Sequence, residues 1–141
     1  MTEPAEAAGP KVGAGGGRAA EKELTVLTHV YDLLLWLIPA TGRFPKNQRY
    51  LLGERIENQL LDVLDLLISA RYSKEKADIL RSCNLKLEQF RYLLRLCKDL
   101  RLFDLRRYEY AAGKVEEIGR QVGGWQKHET GKPACRGGAG R

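Results

Sequence analysis

The side chains with chemistry to offer in this chain are basic. Between Lys74 and Arg107 the sequence places Lys74, Lys76, Arg81, Lys86, Arg91, Arg95, Lys98, Arg101, Arg106 and Arg107, opposed by Glu75, Asp78, Glu88 and Asp99. A guanidinium fork bonds two phosphate oxygens at once, which suits arginine to a nucleic-acid backbone. Tyr92, Tyr108 and Tyr110 are interleaved with these cations and could stack on unpaired bases. The formal charge of +6 over 141 residues favours an acidic partner, with nucleic acid first. The same pattern also fits a solvated helix face laced with ion pairs to nearby acids. Within one monomer the two readings stand level; repetition of the stripe around a symmetric oligomer would favour binding.

Catalysis finds no comparable set. His29 and His128 are the only histidines, and neither has a Cys, Ser or carboxylate partner at a telling spacing. Glu54, Glu57, Asp62 and Asp65 invite a di-metal reading, but such bundles need inward-facing Glu-x-x-His pairs, which the sequence lacks. The glycine-rich N-terminus follows no strand, so it is no phosphate-binding loop. Cys83, Cys97 and Cys135 form no C-x-x-C motif, and Cys83 and Cys97 are too far apart on one helix to bridge. The expectation is a non-enzyme with no metal, no cofactor and no small-molecule substrate.

The elements that must carry the basic residues are helices. From Ser73 to Arg101 there is no Gly or Pro, and Leu80, Cys83, Leu87, Phe90, Leu94 and Cys97 form a heptad seam. The basic residues fall largely on the opposite side. Ser73 is the expected N-cap. Tyr108, Ala111, Val115, Ile118, Val122 and Trp125 repeat the same 3-4-3-4-3 spacing, predicting a fourth helix from about 105 to 126 with Asp104 as N-cap. Ala112, Gly113, Gly119 and Gly123 should keep it thin for close packing. A first helix is predicted over Leu24 to Ile38, stopped by Pro39. It is apolar almost all round, which hints at burial on a second side through self-association. A second helix is predicted over Lys46 to Arg71, with Leu52, Ile56, Leu60, Val63, Leu67 and Ala70 inward and Gly53 a weak point or a place of close approach.

These elements imply an all-α, up-down-up-down four-helix bundle over residues 24–126. Residues 1–23 and 127–141 read as disordered tails, the first Gly/Ala-rich and the second basic. The start of the chain lacks the apolar core of a signal peptide, and the longest apolar run, Leu33 to Ile38, is far short of the ~20 residues of a membrane span. A cytoplasmic protein without membrane contact is expected.

Residues 44–72, FPKNQRYLLGERIENQLLDVLDLLISARY, resemble the second-helix region of the Avd family, accessory proteins of diversity-generating retroelements. The LRLCKDLRLF stretch and YEYAAGKVEEIGRQVGGWQK, residues 108–127, resemble the third and fourth helices of that family. The Phe44-Pro45-Lys46 triplet is shared with the broader family of four-helix bundles encoded in 23S rRNA intervening sequences; its combination with Gly123-Gly124-Trp125 is much more specific to the Avd branch. The resemblance implies a barrel-like homopentamer with a basic surface, binding the retroelement's reverse transcriptase together with nucleic acid, RNA or DNA. It implies no catalytic step of the chain's own. The basic surface maps to Arg81, Arg91, Arg95, Lys98, Arg101, Arg106 and Arg107, with Lys74 at the start of the stripe. An intervening-sequence bundle protein and a protein-only oligomeric scaffold are the alternatives.

Overall fold

The computed structural model describes residues 17–131, and in these it is all-helical. Helix α1 spans Gly17–Gly42. Helix α2 is a composite: an α-helical turn at Lys46–Gln48, a π-helical segment at Arg49–Gly53 and a long α-helix at Glu54–Tyr72. Helix α3 spans Lys76–Asp99 and α4 spans Leu105–Thr130. Both α1 and α3 pack on α2 and α4, and the contacts of α3 are the more extensive. With short connections this is an up-down-up-down four-helix bundle.

The core follows the heptad seams. On α3 the buried side chains are Leu80, Cys83, Leu87, Phe90, Leu94 and Cys97, the six of the predicted seam. On α2 Ile56, Leu60, Val63, Leu67 and Ala70 are buried together with Gln59. Gln59 is tolerated there because its amide donates to the Lys86 carbonyl (3.0 Å) and the Gln89 side chain (2.8 Å) of α3. On α4 Ala111, Val115, Ile118 and Val122 are buried, and Tyr108 and Trp125 at the seam's ends are half-buried.

Several boundaries differ from the sequence expectation. Pro39 does not stop α1 but lies inside it. Proline forfeits one hydrogen bond, and here that loss falls in the last turn, where the helix is nearly complete. Burial of Ala40, Thr41 and Phe44 favours the added turn. The Thr41 hydroxyl is shared between the Ile38 carbonyl (3.1 Å) and the Glu57 carboxylate, tying the end of α1 to α2. The helix also begins at Gly17, inside the stretch expected to be a tail; residues 1–16 lie outside the described residues. Arg18 to Glu23 have no apolar period, yet they are good helix formers extending a buried helix, which needs no new nucleus. Glu23 is further held by Arg71 of α2 at 3.2 Å. At the other end α4 runs one turn beyond 126 to Thr130; the tail residues 132–141 lie outside the described residues.

The α2–α3 junction is also built differently. Ser73 does not cap α3; its hydroxyl accepts the Glu75 N–H (2.8 Å) in a local turn, and the helix starts at Lys76. Lys76 instead caps the preceding helix, donating to the carbonyls of Ala70 (2.6 Å) and Arg71 (2.9 Å). Asp104 is the N-cap of α4 as predicted, its carboxylate accepting the Arg107 N–H at 2.8 Å. Of the α4 glycines expected to allow close packing, Gly119 alone makes room for a neighbour within the chain. A Cβ at Gly113 or Gly123 would meet nothing within 4 Å, and only at Gly119 would it press on a neighbour, the Arg91 guanidinium.

At the end of the bundle where α1 and α3 finish, an aromatic cluster joins the two connections. Phe44, from the α1–α2 loop, meets Phe103, from the α3–α4 loop, edge to face at 5.2 Å. Trp36 of α1 lies 5.7 Å from Phe103 and 5.1 Å from Tyr110 of α4. Both phenylalanines are buried. The loops are thereby locked to each other as well as to the core.

Candidate nucleic-acid interface

The structure divides the predicted basic stripe into two parts. Along the body of α3 each arginine has an acid one turn away. Arg81 pairs with Asp78 at 3.1 Å, Arg91 with Glu88 at 2.8 Å, and Arg95 reaches Asp99 at 4.0 Å. Arg91 is also laid down on α4, where the absent side chain of Gly119 leaves room for its guanidinium. These are exposed or half-exposed i,i+3 and i,i+4 pairs, worth little to stability, but they offset the local positive field.

The remaining candidates are different. Lys98 contacts Asp99 at 3.6 Å and sits 5.0 Å from the centre of the Tyr108 ring, straddling α3 and α4. Among the described residues the side chains of Arg101, Arg106 and Arg107 form no ion pair, nor does that of Lys74. Arg101 and Arg106 are exposed and Arg107 is half-buried. Lys74 stands apart from this group, at the opposite end of the bundle beside the α2–α3 junction.

Arg101 has an unusual backbone. Its φ is 65°, the left-handed region that glycine ordinarily occupies. The turn around it is a Schellman arrangement: the Leu102 N–H donates to the Cys97 carbonyl at 2.8 Å and the Arg101 N–H to the Lys98 carbonyl at 2.9 Å. An arginine therefore stands at the position where this helix ending prefers glycine.

Topology brings in three cations that the helix-by-helix reading of the sequence missed. Arg43 lies in the α1–α2 connection and Lys46 and Arg49 in the first turns of α2, at the same end as the α3–α4 connection. Arg43 and Lys46 are exposed and unpaired among the described residues, while Arg49 donates to the Gly42 carbonyl at 3.2 Å. The signal was available: in an up-down-up-down bundle alternate loops share an end, so charge can be summed by end rather than by helix.

The rest of the surface gathers less. A groove of about 610 Å³ between α2 and α3 is crossed by the Lys86–Asp62 pair at 3.2 Å and lined by Arg55, Gln89 and Tyr92. A second, of about 720 Å³, runs between the start of α1 and the end of α4; Trp125 lines it and buries its Nε1 without a hydrogen-bond partner. Among the described residues no group of three His, Cys, Asp or Glu side chains could hold a metal ion. Cys83 and Cys97 are free, buried thiols, and burial pushes the first up to about 12 and the second to about 11.

The α1 segment Ala20–Gly42 is, by length and composition, long and apolar enough to cross a membrane. In this fold it serves as a core helix, burying Val26, Val30, Leu33, Leu34, Leu37 and Ala40. Its outer side keeps an apolar stripe exposed, with Leu24, Tyr31, Leu35 and Ile38 40%, 57%, 60% and 48% accessible.

Comparison with known proteins adds one assignment. Residues 24–129 match a family model described as bAvd-like. No curated protein matches the chain at a significant level.

Proposed function

We propose that this chain, which belongs to the bAvd-like family, is a non-catalytic accessory subunit of a diversity-generating retroelement. In this role it binds the element's reverse transcriptase and its template RNA or cDNA, and so supports mutagenic cDNA synthesis. Membership of the family across residues 24–129 is the observation that carries the reading. The unpaired cations of the bundle surface support it, because phosphate contacts made by Arg and Lys give salt-dependent binding with little sequence preference. Bringing template and enzyme together through such contacts requires no reacting group on the chain itself.

We further propose that the chain assembles into a homopentamer and works in the cytoplasm. The stripe of Leu24, Tyr31, Leu35 and Ile38 supports assembly: it continues a 3–4 spacing along α1, on a side that no other helix covers among the described residues. Five copies would repeat the basic surface around one axis and strengthen its field.

The test is binding of the purified full chain to structured RNA over a salt series. The expected result is a shift that weakens steeply as salt rises. A protein-only scaffold would give no salt-sensitive shift, and that outcome would remove nucleic acid from the proposal. Co-purification with a reverse transcriptase encoded beside the gene examines the partner independently.

A further inference from the structure

We infer that the loop end of the bundle, rather than the flank of α3, is the surface that grips the sugar-phosphate backbone of RNA. This deepens the proposed function and rests on its reading that the chain binds RNA. The platform comprises Arg43 of the first connection with Lys46 and Arg49 at the start of α2, and Arg101 of the second connection with Arg106 and Arg107 at the start of α4. Three independent observations point there.

The first is charge that is free to act. The flank arginines Arg81, Arg91 and Arg95 each lie within 4.0 Å of an acid on their own helix. Arg43, Lys46, Arg101, Arg106 and Arg107 have no such partner among the described residues, and the nearby Asp104 carboxylate accepts the Arg107 backbone N–H rather than a side-chain cation. A phosphate reaching this end displaces no existing ion pair.

The second is rigidity. Loop cations on separate, mobile connections would lose conformational freedom on binding. Here the Phe44–Phe103 contact at 5.2 Å clamps one loop to the other, with Trp36 beneath. Arg43 adjoins Phe44, and Arg101 is two residues from Phe103. The aromatic cluster therefore holds the two halves of the platform in a fixed relation, formed before any ligand arrives.

The third is the left-handed backbone at Arg101, with φ of 65°. The Schellman turn closes more readily with glycine, so the arginine stands there against a local preference. Its exposed guanidinium pairs with no acid among the described residues. A ligand outside the chain gives that side chain a purpose.

The experiment measures fluorescence anisotropy of a labelled single-stranded RNA against the full-length chain across a salt series, with thermal melting as the folding control. Arg101→Gly should melt at a higher temperature yet bind RNA more weakly; a residue serving only the fold would move both in the same direction. Arg43→Glu with Lys46→Glu should lose about tenfold or more in affinity at moderate salt, and each phosphate contact removed should lower the salt slope by about 0.7. Arg81→Glu with Arg95→Glu should lose less than either platform variant. If the parent binds RNA and the platform variants bind equally well, the loop end is not the contact. Variants that lose the reverse transcriptase while keeping RNA would also overturn the assignment, giving the surface to a protein instead. If the parent itself shows no salt-dependent binding, the RNA-binding reading has failed, and this inference with it.

Discussion

At the scale of single residues, position in the fold decides what a side chain can do. Cys83 and Cys97 have the same chemistry as any free thiol, yet both face the core, and burial raises their pKa values above the ordinary 9.0, to about 12 and about 11. They should resist maleimide in the native chain and react once it is unfolded. The sign of their pH dependence follows. A folded-state pKa raised above the unfolded value gives stability that is complete below about pH 9 and is lost as pH climbs towards 11–12. Melting curves between pH 8 and 11 should therefore fall less steeply for Cys83→Ala with Cys97→Ala than for the parent; equal slopes would refute the linkage. Arg101 shows the reverse case, a surface residue with strain in its backbone. Replacement by glycine should raise unfolding free energy by about 1 kcal/mol, the scale of the left-handed penalty. Denaturant titration reads that gain directly.

At the scale of elements, the packing seams were legible in the sequence and the ends of helices were not. The α3 seam from Leu80 to Cys97 is buried at all six positions because a heptad spacing leaves a helix only one way to cover its apolar side. Helix ends depend on small local gains, and neighbours outweigh them. Pro39 is a strong stop signal by itself, but Thr41 and Phe44 have burial to gain by carrying the turn onward. Ser73 is a good cap by type, yet Lys76 satisfies the end of α2 instead and α3 starts later. The π-helical segment at Arg49–Gly53 has no sequence marker we can name; it accompanies burial of Leu52 and Gly53, with Gly53 set against Thr41 and Phe44. The clamp between the loops belongs to this scale. A double-mutant cycle of Phe44→Leu and Phe103→Leu should show a coupling of about 0.5–1.5 kcal/mol between the rings. Additive losses would mean that the two loops are held separately.

At the scale of the whole molecule, the unsatisfied surface of α1 is the main feature. Its inner side builds the core, and its outer side leaves Tyr31 and Leu35 more than half exposed. A second copy of the chain is the cover we propose. Tyr31→Glu with Leu35→Glu should leave the bundle folded by circular dichroism, since neither side chain is in the core, but lower the mass seen by light scattering to that of a monomer. A parent that already scatters as a monomer, or a variant whose mass is unchanged, would contradict the proposed assembly.

The sequence by itself determined the all-helical bundle, the inward seams and the family, because spacing along one helix and a matched stretch of chain are local properties. It identified the basic residues of α3 and the α3–α4 junction but could not say which were free. That depended on rotamers and on Gly119, whose missing side chain lets Arg91 lie down on α4. Nor could it join Arg43 and Lys46 to Arg101 and Arg106, more than fifty residues away. Loop alternation in the bundle puts them at one end, but only the tertiary structure joined them, through Phe44 meeting Phe103. Charges act through space rather than along the chain, so a binding surface assembled from two loops exists only once the helices have packed.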